Sequence, residues 1–160
     1  MRYRDLVEAP VPDLRSFGEI TSGPDLYLHY TSDENALRSI LANGFHLKRF
    51  GATGKRYRLQ ELTVNDPRGV YATSYDGYAP NDDRPWVIFS VAPGTNVLGK
   101  PVGEDESANL KTELAQAYGA VGAALSKILL RAGVQVLHST FEFIILDPSI
   151  IRINSSSFSG

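Results

Sequence analysis

The chain contains no cysteine, and that single absence removes disulfides, thiolate metal sites and a cysteine nucleophile from consideration. It also lacks any stretch approaching the ~18 consecutive apolar residues of a membrane-spanning helix. Neither sign of charge dominates: 16 basic side chains face 18 acidic ones, a net charge of -2, so no global field draws the protein onto nucleic acid or a membrane. Several chemical signatures are missing too. No GxSxG elbow and no GxGxxG turn occurs, and Gly51-Ala52-Thr53-Gly54-Lys55 is too short for a phosphate loop, with Arg56 where Ser or Thr belongs. The three histidines, His29, His46 and His138, have no HExxH-like spacing, so a zinc site would need distant carboxylates and no metal is expected.

What is present is a globular composition, 42% hydrophobic and 21% charged over 160 residues, which suits one domain with a real core. Residues 1–24, rich in proline, glycine and charge, are expected to form an arm, residues 25–154 the domain, and residues 155–160 a frayed tail. The charged, proline-bearing start leaves no apolar core for a signal peptide. That pattern suggests a cytoplasmic protein, or one delivered into a host cell by a machine that reads no cleavable signal.

A β-rich run from Leu26 to His29 leads into a helix marked by Thr31 with Glu34 three residues on, and Gly44 suits its end. Further strands are predicted over Gly69 to Thr73, Trp86 to Val91, Val134 to Leu137, Phe141 to Leu146 and Ile150 to Ile153. Between Ser107 and Ala132 the apolar spacing is helical but interrupted near Gly119 and Gly122, which predicts two helices or one broken helix.

Three polar residues interrupt otherwise apolar strands: His29, Tyr71 in GVYAT, and Glu142 in FEFIILDP. Each has a bland explanation. A carboxylate opening a strand can sit at its edge in water, a lone histidine is more often a hydrogen-bonded structural residue, and a lone tyrosine is more often core.

Their order and surroundings favour more. LYLHYTSDENALRSILANGF resembles the opening strand and helix of the diphtheria-toxin-like, poly(ADP-ribose) polymerase-like branch of the ADP-ribosyltransferase superfamily. GVYATSYDGY resembles that branch's GxY strand, and FEFIILDPSIIRI resembles its glutamate-bearing strand. The resemblance spans residues 26 to 153 and implies an α+β fold, a split β-sandwich of mostly antiparallel strands with flanking helices. It implies NAD as substrate, with ADP-ribose transferred to a protein or nucleic-acid acceptor, as in bacterial or phage effectors and toxins. The alternatives on the same fold are an NAD glycohydrolase and a non-catalytic module binding a nucleotide or a protein.

The resemblance also assigns roles. Glu142 would stabilise the cationic ribose formed when nicotinamide leaves, and would polarise the acceptor. His29 would hydrogen-bond the adenosine-side ribose, and Tyr71 would stack on nicotinamide, with Tyr75 or Tyr78 as the opposite wall. Tyr30, standing where many members have glycine, would offer backbone groups to the carboxamide, and Thr31 or Ser32 would bond ribose or phosphate. Thr140, two residues before Glu142, replaces the Glu or Gln of the arginine-modifying branch and disfavours arginine as acceptor. Lys48, Arg49, Lys55, Arg56 and Arg58, with Phe50 and Tyr57 among them, form either a solvated loop or a contact for phosphates, those of NAD or of a nucleic acid.

Overall fold

A computed structural model describes residues 13–45, 67–80, 83–100, 109–139 and 142–157. Eight strands run in chain order as β1 (Glu19–Thr21), β2 (Tyr27–Tyr30), β3 (Val70–Ser74), β4 (Trp86–Val91), β5 (Val97–Gly99), β6 (Val136–Ser139), β7 (Glu142–Ile145) and β8 (Ile151–Ser156). Three helices join them: α1 (Glu34–Asn43), α2 (Leu110–Tyr118) and α3 (Gly122–Arg131). The strands form one sheet in the order β1-β5-β6-β7-β3-β2-β4-β8, antiparallel throughout except for the β5–β6 pair. The protein is therefore a mixed α+β domain built on a mostly antiparallel sheet.

Strand alternation divides the core in two. On one face Val70, Ala72, Val97, Val136, Phe143 and Ile145 meet Tyr27, Val87 and Phe89 together with Leu37, Ile40 and Phe45 from α1 and its exit. On the other, Leu98, Leu137, Ile144 and Leu146 are covered by Leu110 and Leu114 of α2 and Leu125 and Leu129 of α3. Tyr27 on β2 makes an edge contact with Phe143 on β7, ring centroids 5.4 Å apart, although β3 runs between those strands. β3 changes partner along its length: Val70, Tyr71 and Ala72 pair with β7, whereas Thr73 and Ser74 pair with β2.

The turns follow from local chemistry. Asp33, extended at φ -160°, caps α1 by accepting from the Ala36 amide at 2.8 Å, and Gly44 closes the helix at φ +79°. The cap is Asp33 and not Thr31, whose hydroxyl donates instead to the carbonyls of Asp33 and Pro85 at 3.1 and 3.3 Å. The break between α2 and α3 is a left-handed Gly119 at φ +60°, so the interrupted helical stretch resolves as two helices.

Residues 14–21, expected in an arm, are built into the domain. Leu14 is buried in the core under α2 and α3, and β1 pairs with β5. At the other end β8 runs on to a buried Ser156, beyond the expected boundary at 154. Among the described residues no helix is long and apolar enough to cross a membrane.

Candidate functional site

The three strands carrying the singled-out residues are consecutive in the sheet: β7 with Glu142, β3 with Tyr71 and β2 with His29. They come from sequence segments 42 and 71 residues apart, and the change of partner along β3 falls among them.

His29 is partly buried beside the ring of Phe45, centroids 5.4 Å apart at 82°. Its Nδ1 lies 2.6 Å from the carbonyl oxygen of Tyr71. A carbonyl can only accept, so Nδ1 carries the proton and Nε2 is the basic nitrogen of the neutral ring. Burial pushes the imidazole below its ordinary value of 6.5; the bond to the Tyr71 carbonyl opposes that shift, and the Arg84 guanidinium adds to it. His29 is thus a fixed, neutral hydrogen-bonding group near neutral pH.

This has a testable consequence. Since the folded value is depressed, the unfolded chain takes up a proton at His29 as pH falls below 6.5 while the folded chain does not, so stability present above that pH is lost towards acid. Urea midpoints of the wild type and His29→Gln, compared from pH 7.5 to about 5, should diverge in that sense. A constant offset across the range would show that His29 is not held neutral.

Tyr71 belongs to the other face of the sheet. Its ring packs against the core beneath α2 and α3, and its hydroxyl donates to the Pro67 carbonyl at 2.7 Å. Directly upstream, Ser126 of α3 donates to the Arg68 carbonyl at 2.9 Å. A Cβ at Gly69 would stand 2.7 Å from the Ile145 carbonyl oxygen and from Ile144 Cγ2, so the glycine of GVY is dictated by the close approach of β3 to β7.

Glu142 is exposed at the start of β7, opposite the buried Ser139 of β6. Alternation with Ile144 and Leu146 puts it on the α2 side, and the Ser139 hydroxyl accepts from the Lys111 amide of α2 at 3.0 Å. The structure therefore joins His29 to Tyr71 through the β3 backbone. It places the Tyr71 ring and Glu142 towards α2 and α3, and the His29 ring towards Phe45.

The remaining candidates lie at both ends of β2, with Tyr30, Thr31 and Ser32 at its C-terminal end and Tyr75 beside Leu26 at its N-terminal end. Tyr30 pairs with Trp86 and lies under Arg84, whose Cζ is 5.0 Å from the ring centroid. Thr31 is buried, its amide donating to the Pro85 carbonyl at 2.9 Å, while Ser32 is half-exposed. The Tyr75 amide donates to the Leu26 carbonyl at 2.9 Å, and Tyr78 is 77% exposed on a turn, which makes Tyr75 the one of the two fixed against β2. Arg49 and its basic neighbours, with Thr140, lie outside the described residues.

Arg84 is the residue that sequence reasoning missed. It sits in the turn-prone stretch before β4, and its only signal was a cation next to the proline that begins a strand. Elsewhere, an open groove of about 470 Å³ is lined by Ser16, Phe17, Lys100, Glu113, Gln116 and Ala117, away from β2, β3 and β7. Among the described residues no group of three or more His, Asp or Glu is placed to hold a metal ion.

No family model, curated protein or solved structure matches the chain.

Proposed function

We propose that the protein is a mono-ADP-ribosyltransferase that cleaves the nicotinamide–ribose bond of NAD and passes ADP-ribose to a macromolecule. The observation that carries this reading is the adjacency of β7, β3 and β2. Three motifs scattered along the chain arrive on neighbouring strands, around the strand that changes partner. The fold we assign is the split β-sandwich, and the change of partner along β3 supports it.

In the reaction the C–N bond breaks with its electron pair leaving on nicotinamide, and C1′ of the ribose becomes cationic. Glu142 supplies the opposing charge, then takes the proton that the acceptor loses as its nucleophile bonds to C1′. His29, neutral and pinned through Nδ1, uses Nε2 to hold the adenosine-side ribose. Tyr71, its hydroxyl bonded to the Pro67 carbonyl, fixes the strand between His29 and Glu142.

The test is NAD labelled in its adenylate half, incubated with the protein and a cell lysate, then digested separately with nuclease and protease. Label should enter macromolecules with release of free nicotinamide, and one digestion should free it. Nicotinamide release with no macromolecular label would make water the acceptor and overturn the transferase. No release in any lysate would overturn NAD chemistry altogether.

A further inference from the structure

We infer that Ser139 is a positioning residue for Glu142, its hydroxyl donating to the Glu142 carboxylate when substrate is bound; the inference rests on the NAD reading above. Ser139 ends β6, Glu142 begins β7, and the two stand directly opposite each other in the antiparallel pair. Both belong to the α2 side of the sheet, because Leu137 and Ile144, each two residues along its own strand, are covered by α2 and α3. Directly opposed residues hold their Cβ atoms about 4.5–5.5 Å apart. Rotation of the exposed glutamate side chain spans the remainder.

Ser139 is only 3% exposed, yet part of its bonding capacity is unused. Its oxygen accepts the Lys111 amide at 3.0 Å. Lys111 is the second residue of α2, where an amide has no partner within the helix, so Ser139 serves as a cap supplied from the sheet. Among the described residues the hydroxyl proton has no acceptor. A buried donor left unpaired is costly. Accepting from the positive end of a helix also polarises the hydroxyl, which makes it a better donor, and a carboxylate is the acceptor that gains most from it. Glu142 is that carboxylate. A strand-end glutamate in water samples many rotamers, and one bond from a buried, fixed serine selects among them. It occupies one carboxylate oxygen and leaves the other for the ribose.

A double-mutant cycle tests this, with nicotinamide release from NAD measured in the lysate for the wild type, Ser139→Ala, Glu142→Gln and the double variant. In the protein that carries Glu142, Ser139→Ala should lower kcat about 10-fold with KM changed by less than about twofold. In the Glu142→Gln background the same substitution should change the rate by less than about twofold, since no carboxylate is left to position. Ser139→Thr keeps the hydroxyl and should restore most of kcat, and it serves if the alanine variant folds poorly for want of an acceptor for Lys111. An equal loss in both backgrounds makes Ser139 a support of α2 alone and overturns the positioning role. Wild-type rates in Ser139→Ala overturn it too. Both of those outcomes leave the NAD reading standing, whereas wild-type protein that releases no nicotinamide overturns that reading and the role of Ser139 with it.

Discussion

Replacing Glu142 by glutamine is expected to slow nicotinamide release from NAD by about 10²- to 10³-fold while NAD affinity stays within about threefold. The substitution keeps the shape and removes only the charge. In the ground state nicotinamide ribose carries its positive charge on the pyridinium ring; in the transition state that charge moves to C1′ and its ring oxygen. A carboxylate beside the sugar therefore gains most as the bond breaks, and its loss appears in kcat more than in KM. Glu142 is exposed at a strand start, so the variant should fold as the wild type does, with a stability change within about 0.5 kcal/mol. Circular dichroism and a urea midpoint verify that before rates are compared. Nicotinamide release at the wild-type rate would remove Glu142 from the chemistry.

Much of this arrangement was legible in the chain, and the parts that were not have physical reasons. Trp86 to Val91 reads as a strand because a six-residue apolar run suits burial between two partners, and β4 does pair with both β2 and β8. Gly44 and Gly119 mark helix ends because each takes up a positive φ there. By contrast β1 and β5 are three residues each, too short to show alternation, and β1 is stabilised by a partner 78 residues away that no local pattern encodes. The cap of α1 was misread for a similar reason. Thr31 is an acceptable cap on local grounds, but the Ala36 amide is met by Asp33, while the Thr31 hydroxyl donates to Pro85, remote in sequence.

The site divides along the same line. That His29, Tyr71 and Glu142 interrupt apolar strands could be read directly, whereas the face each one occupies depends on register, where a shift of one residue reverses every side chain. The pairing of Ala72 with Phe143, and the switch of partner at Thr73, place the Tyr71 ring under α2 and α3 and leave its backbone to meet His29. Arg84 lay in a segment whose prolines and aspartates advertise only a turn. Its contact with the Tyr30 ring is a tertiary one.

Truncating Phe89 to alanine should cost about 3–5 kcal/mol of stability, a large share of the roughly 5–15 kcal/mol available to a domain of this kind. Phe89 is fully buried, stacked on Tyr27 at 5.4 Å and 13°, and touched edge-on by Phe45 at 5.7 Å. Its strand is held on both sides, by β2 and by β8, so the backbone cannot collapse far into the cavity. Thermal unfolding should drop by on the order of 10 °C, and a loss below about 1 kcal/mol would show that the cluster repacks freely. The same cavity reaches towards the site, because Phe45 leans on Phe89 with one side and on His29 with another. Loosening Phe45 admits water to the imidazole and relieves the burial that keeps it neutral, so the His29 proton affinity, followed by NMR in Phe89→Ala, should rise towards 6.5. A residue that never touches the imidazole would then govern its charge.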